Sequence, residues 1–265
     1  MFLEFLNGVE RWCLWLVDAP PNLMRDSTLL RDRIEGIRRF RAASPRRQTR
    51  NLASTPSLFG EIRQPTTPYI LIPKVSSMRR RYIPIGFVEP SIIASGSALI
   101  LPAATMYHFG ILCSAMHNAW MRTVAGRMKS DFQYSNNIVY NNFPWPSPTT
   151  GQRERVEERA QAVLAARERH LPPSGMNTLA DLYDPLTMSV QLARAHAELD
   201  RAVDRCYRAY AFQSDRERVE FLFRSYEQLS APLLPPPPRQ RGVRIRRPIP
   251  QRPRRGRTPG LPSAQ

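Results

Sequence analysis

Cysteine is nearly missing from these 265 residues: Cys13, Cys113 and Cys206 are too few, too dispersed and odd in number for a disulfide framework or a metal cluster. They read as reduced thiols packed in the core of a cytoplasmic protein. The 12 glycines include no Gly-x-Gly, which removes both a dinucleotide-binding fingerprint and a phosphate-cradling loop. His108, His117, His170 and His196 are scattered, with no acid or cysteine at ligand spacing, so no metal site is expected. His108 and His117 read instead as packing or capping residues. No apolar run reaches the roughly 18 to 20 residues of a membrane span; the longest, near Ile92 to Met106, is broken by Ser95, Gly96, Ser97 and Pro102. Glu4, Glu10 and Arg11 interrupt any signal-peptide core. Paired acids at Glu157-Glu158 and around Asp181 and Asp184 lie among arginines, where ion pairing is the ordinary reading. With no Ser/His/Asp grouping either, self-sufficient catalysis is not expected.

What the chain does have is cationic charge and enough apolar residues for a core. It carries 39 Lys and Arg against 22 Asp and Glu, a formal charge of +17, with 42% hydrophobic residues. Such an excess points to an anionic partner, nucleic acid first. The charge is uneven, because residues 231–265 hold nine arginines and no acid. That Arg/Pro-rich tail has almost nothing to bury and is expected to be disordered.

The apolar pattern predicts an α+β fold. A mixed β-sheet domain with packed helices over residues 1–148 precedes a small all-α bundle over 149–230 and the basic tail over 231–265. Strands are expected at Trp12–Val17, Tyr69–Ile72, Arg81–Val88, Ser91–Ala94 and Ala98–Leu101, each bounded by turn residues. A basic amphipathic helix starts near Ser27, with Leu30, Ile34, Ile37 and Phe40 on one side. One long helix is expected from Ala104 to Val124, ended by Gly126 as a C-terminal cap. In the bundle, Val156, Ala160 and Val163 mark one helix, Leu192 to Tyr210 a second, and Ser214-Asp-Arg-Glu217 a capping box before a third.

Between Met128 and Tyr134 residues alternate. Met128, Phe132 and Tyr134 fall on one face of a strand, and Lys129, Asp131 and Gln133 on the other. On pattern alone Lys129 and Asp131 form a solvated ion pair.

A string of specific words then comes into view: Tyr107-His-Phe-Gly-Ile111, Met116-His-Asn-Ala-Trp-Met-Arg122, Gly126-Arg-Met-Lys-Ser-Asp-Phe-Gln-Tyr-Ser135 and Ile138-Val-Tyr-Asn-Asn-Phe-Pro-Trp-Pro146. It resembles the target recognition domain of MmeI-like (type IIL) restriction-modification enzymes. Leu179-Ala-Asp-Leu-Tyr-Asp-Pro185 and Asp215-Arg-Glu-Arg-Val-Glu-Phe-Leu-Phe223 are similar to that family's helical C-terminal domain. The resemblance spans residues 1 to about 230. It implies duplex DNA as partner, and a methyltransferase domain or subunit that uses S-adenosylmethionine for adenine-N6 transfer. No cofactor is expected in this chain itself, because the Asn-Pro-Pro-Tyr type of active site is absent. Asn142-Phe-Pro-Trp145 departs from it at the second position and is assigned to packing. Opening on Met1 reads as either a truncated gene or a separately encoded specificity piece.

The resemblance also implies roles. Lys129 and Asp131 read one base pair together, and Lys donating to guanine O6 and N7 while Asp accepts from cytosine N4 makes G·C the natural target. Gln133 contacts another base, working with the loop at Ser97. Lys74, Arg79, Arg80, Arg81 and Arg127, with the helix arginines from Arg31 to Arg41, are expected to touch phosphates, which position the protein without choosing sequence. Three rivals stay open: a methyltransferase active by itself, a non-specific nucleic-acid binder driven by the basic tail, and a non-functional gene fragment.

Overall fold

A computed structural model describes residues 2–172 and 177–231. The helices are α1 (Phe2–Asn7), α2 (Pro21–Asp26), α3 (Thr28–Ala42), α4 (Arg47–Asn51), α5 (Met106–Cys113), α6 (Ala115–Val124), α7 (Thr150–Glu168), α8 (Leu179–Leu182), α9 (Val190–Tyr207) and α10 (Asp215–Ser230). The strands are β1 (Tyr69–Pro73), β2 (Val75–Ser76), β3 (Gly86–Val88), β4 (Ala98–Leu101), β5 (Gly126–Met128) and β6 (Asp131–Gln133). This is the α+β architecture expected. The tail from residue 232 onward, expected to be disordered, lies outside the described residues.

Two small antiparallel sheets form, in the orders β3-β1-β4 and β2-β6-β5. All five residues of β1 are buried. Alternation of side chains explains why: Ile70 and Ile72 enter the main core, while Tyr69 and Leu71 face the other way with Val88, Ala98 and Phe5 of α1. A strand covered on both faces reads as a continuous apolar run.

The main core runs without a break from the first sheet into the C-terminal helices. Ile70, Phe109, Met116 and Trp120 belong to the same cluster as Val156, Leu199, Val203 and Leu222. α7 and α9 are antiparallel, since Arg159 pairs with Glu198 and the Gln152 amide donates to the Arg205 carbonyl. α5 presses on α7 at Gly110, where a Cβ would lie 2.7 Å from Val156 Cγ1 and 3.2 Å from Ala160 Cβ.

A buried polar network crosses the same seam. Arg167 donates to the Ile85 carbonyl at 2.7 Å and to the Tyr183 hydroxyl, which meets His196 Nε2 at 2.7 Å. Tyr82 stacks on His196 at 4.1 Å and donates to Asp200 Oδ2 at 2.7 Å, while Asp200 Oδ1 accepts the Ala115 amide. Burial pushes the Asp200 carboxyl up to about 6. Arg167, His196 and Asp200 tie the Ile85 carbonyl, Tyr82 and the start of α6 in the first half to helices of the second, with Tyr183 bridging Arg167 and His196.

Several expectations are corrected. Trp12–Val17 is not a strand: Trp12 is 90% exposed, Cys13 is exposed, and no strand pairs with this segment. Trp15 settles against Phe59 at 5.6 Å instead. Within Arg81–Val88 only Gly86–Val88 is a strand. Upstream of it Ile83 N–H goes to Asn118 Oδ1, Ile85 N–H turns back to the Ile83 carbonyl and the Ile85 carbonyl goes to Arg167, so these groups are withdrawn from a ladder. Ser91–Ala94 is likewise a loop, its Ile92 carbonyl taken by Gln64 and Tyr69.

The long helix expected from Ala104 to Val124 is two. Ser114 turns to an extended ψ of 159°, donates from its hydroxyl to the Ile111 carbonyl and accepts the His117 amide, so one side chain ends α5 and caps α6. Gly126 is not the cap: Ala125 closes α6, and Gly126 opens β5. Ser27 caps α3 and Ser214 caps α10 as expected, although Glu217 reaches back to the Gln213 amide rather than to Ser214. Of the α3 stripe, Leu30 is buried, but Ile37 and Phe40 are exposed.

Candidate nucleic-acid interface

The alternation between Met128 and Tyr134 becomes a hairpin. Met128 pairs with Asp131, so Lys129 and Ser130 form a two-residue loop. Lys129 therefore stands at the tip, not in the strand, and its φ of 56° lies in the left-handed region that side chains other than Gly and Asn resist. The shared strand face expected for Lys129, Asp131 and Gln133 thus holds for Asp131 and Gln133 alone. Both point away from Phe132, which is buried between them.

Phe132 is the anchor. Its ring carries the Arg127 guanidinium at 3.8 Å and that of Arg122, from α6, at 5.3 Å. Tyr134 is buried too and meets His117 Nε2 at 2.8 Å. Enclosure pushes the His117 imidazole down to about 3 and keeps it neutral. Met128, expected beside these aromatics, is instead 50% exposed, because it lies opposite Asp131 and so shares that residue's outward face, while Arg127 lies opposite Phe132.

β2 completes this second sheet, with Val75 opposite Gln133 and Ser76 opposite Phe132. Lys74, just before β2, donates its ammonium to the Gly96 carbonyl at 2.6 Å and its amide to the Ser97 carbonyl at 3.1 Å. Ser97 is exposed, its hydroxyl 2.7 Å from that of Ser95. Lys74 therefore ties the Ser97 loop to the start of β2, the strand whose Val75 lies opposite Gln133.

Following β2, Asp131 Oδ1 accepts the Met78 amide at 3.3 Å and leaves Oδ2 for another donor. Arg122 fixes the same loop through the Met78 and Arg80 carbonyls. Of the cations expected at phosphates, Arg79 and Arg81 are exposed, while Arg80 is half-buried and desolvation lowers its pKa. Arg127 donates to the Ser130 carbonyl within its own hairpin. Farther away, Arg38 and Arg39 pair with Glu35, and Arg41 clamps the carbonyls of Leu52, Thr55 and Leu58.

Arg122 is a positioning residue that pattern did not single out, although it ends one of the motif words. His108 caps α5 through the Thr105 amide, and Phe143 packs at 4.6 Å on His117, as their assigned roles require. Among the described residues no cluster of three or more His, Cys, Asp or Glu could hold a metal ion, and no helix is long and apolar enough to cross a membrane.

A rigid, two-sided scaffold that holds a short polar hairpin outward beside a cationic loop is the build of a target recognition domain. The family model described as MmeI, target recognition domain, matches residues 3–147, and that described as MmeI, C-terminal domain, matches residues 149–234. The chain belongs to the MmeI family. DNA methyltransferase A of Bacillus subtilis (strain 168) is 38% identical over 228 residues, which cover 86% of this chain and 25% of that protein. The solved type IIL restriction-modification enzyme MmeI, in complex with DNA, superposes with a TM-score of 0.83 at 43% identity over 87% of this chain. The chain spans about a quarter of the length of the curated relative and 30% of the solved one.

Proposed function

We propose that this chain reads the sequence of duplex DNA as the specificity portion of an S-adenosylmethionine-dependent adenine-N6 methyltransferase of the restriction-modification type. The observation that carries this reading is the hairpin. Asp131 and Gln133 look outward from one strand, Lys129 stands at its tip, and the aromatics behind them are fixed by Arg122 and His117. Lys129 donates to guanine O6 and N7 while Asp131 Oδ2 accepts from the paired cytosine N4, and Gln133 with Ser97 meets a neighbouring base. Arg79 and Arg81 take phosphates, joined more weakly by Lys74, Arg80 and Arg127, whose donors or surfaces are partly engaged within the protein.

The methyl-transfer chemistry and its S-adenosylmethionine belong to a methyltransferase module outside these residues. That the solved and curated relatives are each about three times as long as this chain supports the assignment.

Selection of bound duplexes from a randomised pool tests the reading. The chain is expected to enrich one short sequence, and exchanging Lys129→Glu together with Asp131→Arg is expected to change the preferred base pair, with a mismatch costing roughly 1 to 3 kcal/mol. Unchanged preference after that exchange removes the assignment. Loss of all binding on deleting residues 231–265 would favour a non-specific binder driven by the tail.

A further inference from the structure

The α7–α9 seam carries an arginine-lined cleft that the hairpin reading does not use. It encloses about 690 Å³, and its charged lining consists of Arg155, Arg159, Arg201, Arg205 and one acid, Glu198. Arg159 pairs with Glu198 at 2.7 Å and with Glu158 at 3.5 Å, and Arg155 with Glu158 at 3.6 Å. Arg201 and Arg205 have no carboxylate partner among the described residues, and both are exposed. Four residues apart on α9, they stand one above the other about 6 Å apart along the helix axis.

Two further features fit an anion. The cleft opens at the start of α7, where Thr149 caps the Gln152 amide and the Thr150 and Gly151 amides have no acceptor within the helix. Beyond Glu198 the same seam continues into a smaller hollow of about 270 Å³ flanked by Arg169 and by Arg194, which lies 3.8 Å from Glu198. A track of cations along two helices suits a repeating polyanion better than a single small ion, and guanidinium groups match phosphate oxygens with paired hydrogen bonds.

The cleft also adjoins the reading site through the chain. Residues 134–149 lead directly from the hairpin to α7, and the Tyr207 hydroxyl at the end of α9 donates to the Pro144 carbonyl at 3.0 Å. We infer that this cleft binds the phosphate backbone of duplex DNA flanking the base pairs the hairpin reads. The inference rests on the DNA-reading function proposed above.

The test uses the full chain with Arg201→Gln and Arg205→Gln together, and a control with Lys at both positions. The probes are labelled duplexes carrying the selected sequence, one short and one extended on each side by about one helical turn, ~10 base pairs. On the extended duplex the Gln pair is expected to weaken binding roughly 10- to 100-fold at 0.1 M salt and to flatten the log–log salt dependence by about 1.8, while the Lys pair keeps the slope. Base preference and affinity for the short duplex should not change. An unchanged slope on the extended duplex, or equal loss on both lengths, overturns the inference. A wild-type chain with no base preference would instead sink the hairpin reading, and the slope comparison, run on arbitrary duplexes of the same two lengths, would still report on the cleft.

Discussion

The two three-stranded sheets are made of opposite materials. In β3-β1-β4 the central strand is Tyr-Ile-Leu-Ile-Pro, buried at every position and flanked by Val88 and Ala98. In β2-β6-β5 the three residues of β5 are all exposed, and β6 contributes one buried side chain between two polar ones. Fully burying a large aliphatic side chain is worth about 1.5 to 3 kcal/mol. The first sheet therefore stabilises the chain, while the second is stabilised by it, through Phe132, Tyr134 and the backbone bonds of Arg122. The difference teaches that a polar hairpin can be almost free of folding duty when a few anchors reach into a core built elsewhere.

That contrast can be broken by measurement. The largest effect is expected in the first sheet: Ile70→Ala should cost about 2 to 5 kcal/mol in chemical denaturation, whereas Gln133→Ala in the second should stay within about 0.5 kcal/mol. Similar losses from both would erase the distinction.

A middle-sized effect should appear at the joint between the second sheet and the core. The folded-state pKa of His117 is pushed down to about 3, below an unfolded value near 6.5. Its contribution is thus complete above pH 6.5 and is lost as pH falls towards 3, because only the unfolded chain takes up the proton. Asp200 works in the opposite sense, gaining stability as pH drops below about 6, and does so in wild type and variant alike. Between pH 6.5 and 4.5 the wild type should lose about 2 kcal/mol more than His117→Gln, which keeps a hydrogen-bonding group for Tyr134. Parallel pH profiles would show that the joint is not sealed from water. A smaller effect belongs to the hairpin tip: Lys129→Gly should stabilise by up to about 1 kcal/mol by relieving the left-handed backbone, while relaxing base preference. A loss of stability there would mean that the Lys129 side chain supports the fold.

Much of the fold was legible because its signals are local. Ser27 and Ser214 announce helix starts through their own hydroxyls, and β1 is a short apolar run between prolines. What failed depended on distant partners. Trp12–Val17 has strand composition but no strand to pair with, and residues 81–85 bend and give backbone groups to Asn118 and Arg167, far away in sequence. Ser114 could have warned of the break between α5 and α6, had its hydroxyl been read as a cap and not as a tolerated helix residue. At the site, period-two alternation placed Asp131 and Gln133 correctly on one face with Phe132 behind. It could not place Lys129, because a two-residue loop is fixed by strand register and not by side-chain pattern. Arg122 was hidden for a simpler reason: an arginine whose donors go to two backbone carbonyls looks, in sequence, like any surface charge.

The close approach at Gly110 has a mechanical corollary. With the Val156 methyl already where a side chain would begin, α5 and α7 mesh like gear teeth, and the stretch around residue 148 cannot act as a swivel between them. Cutting the chain there would not yield two free-standing modules; each half would be left with the torn face of a common interior.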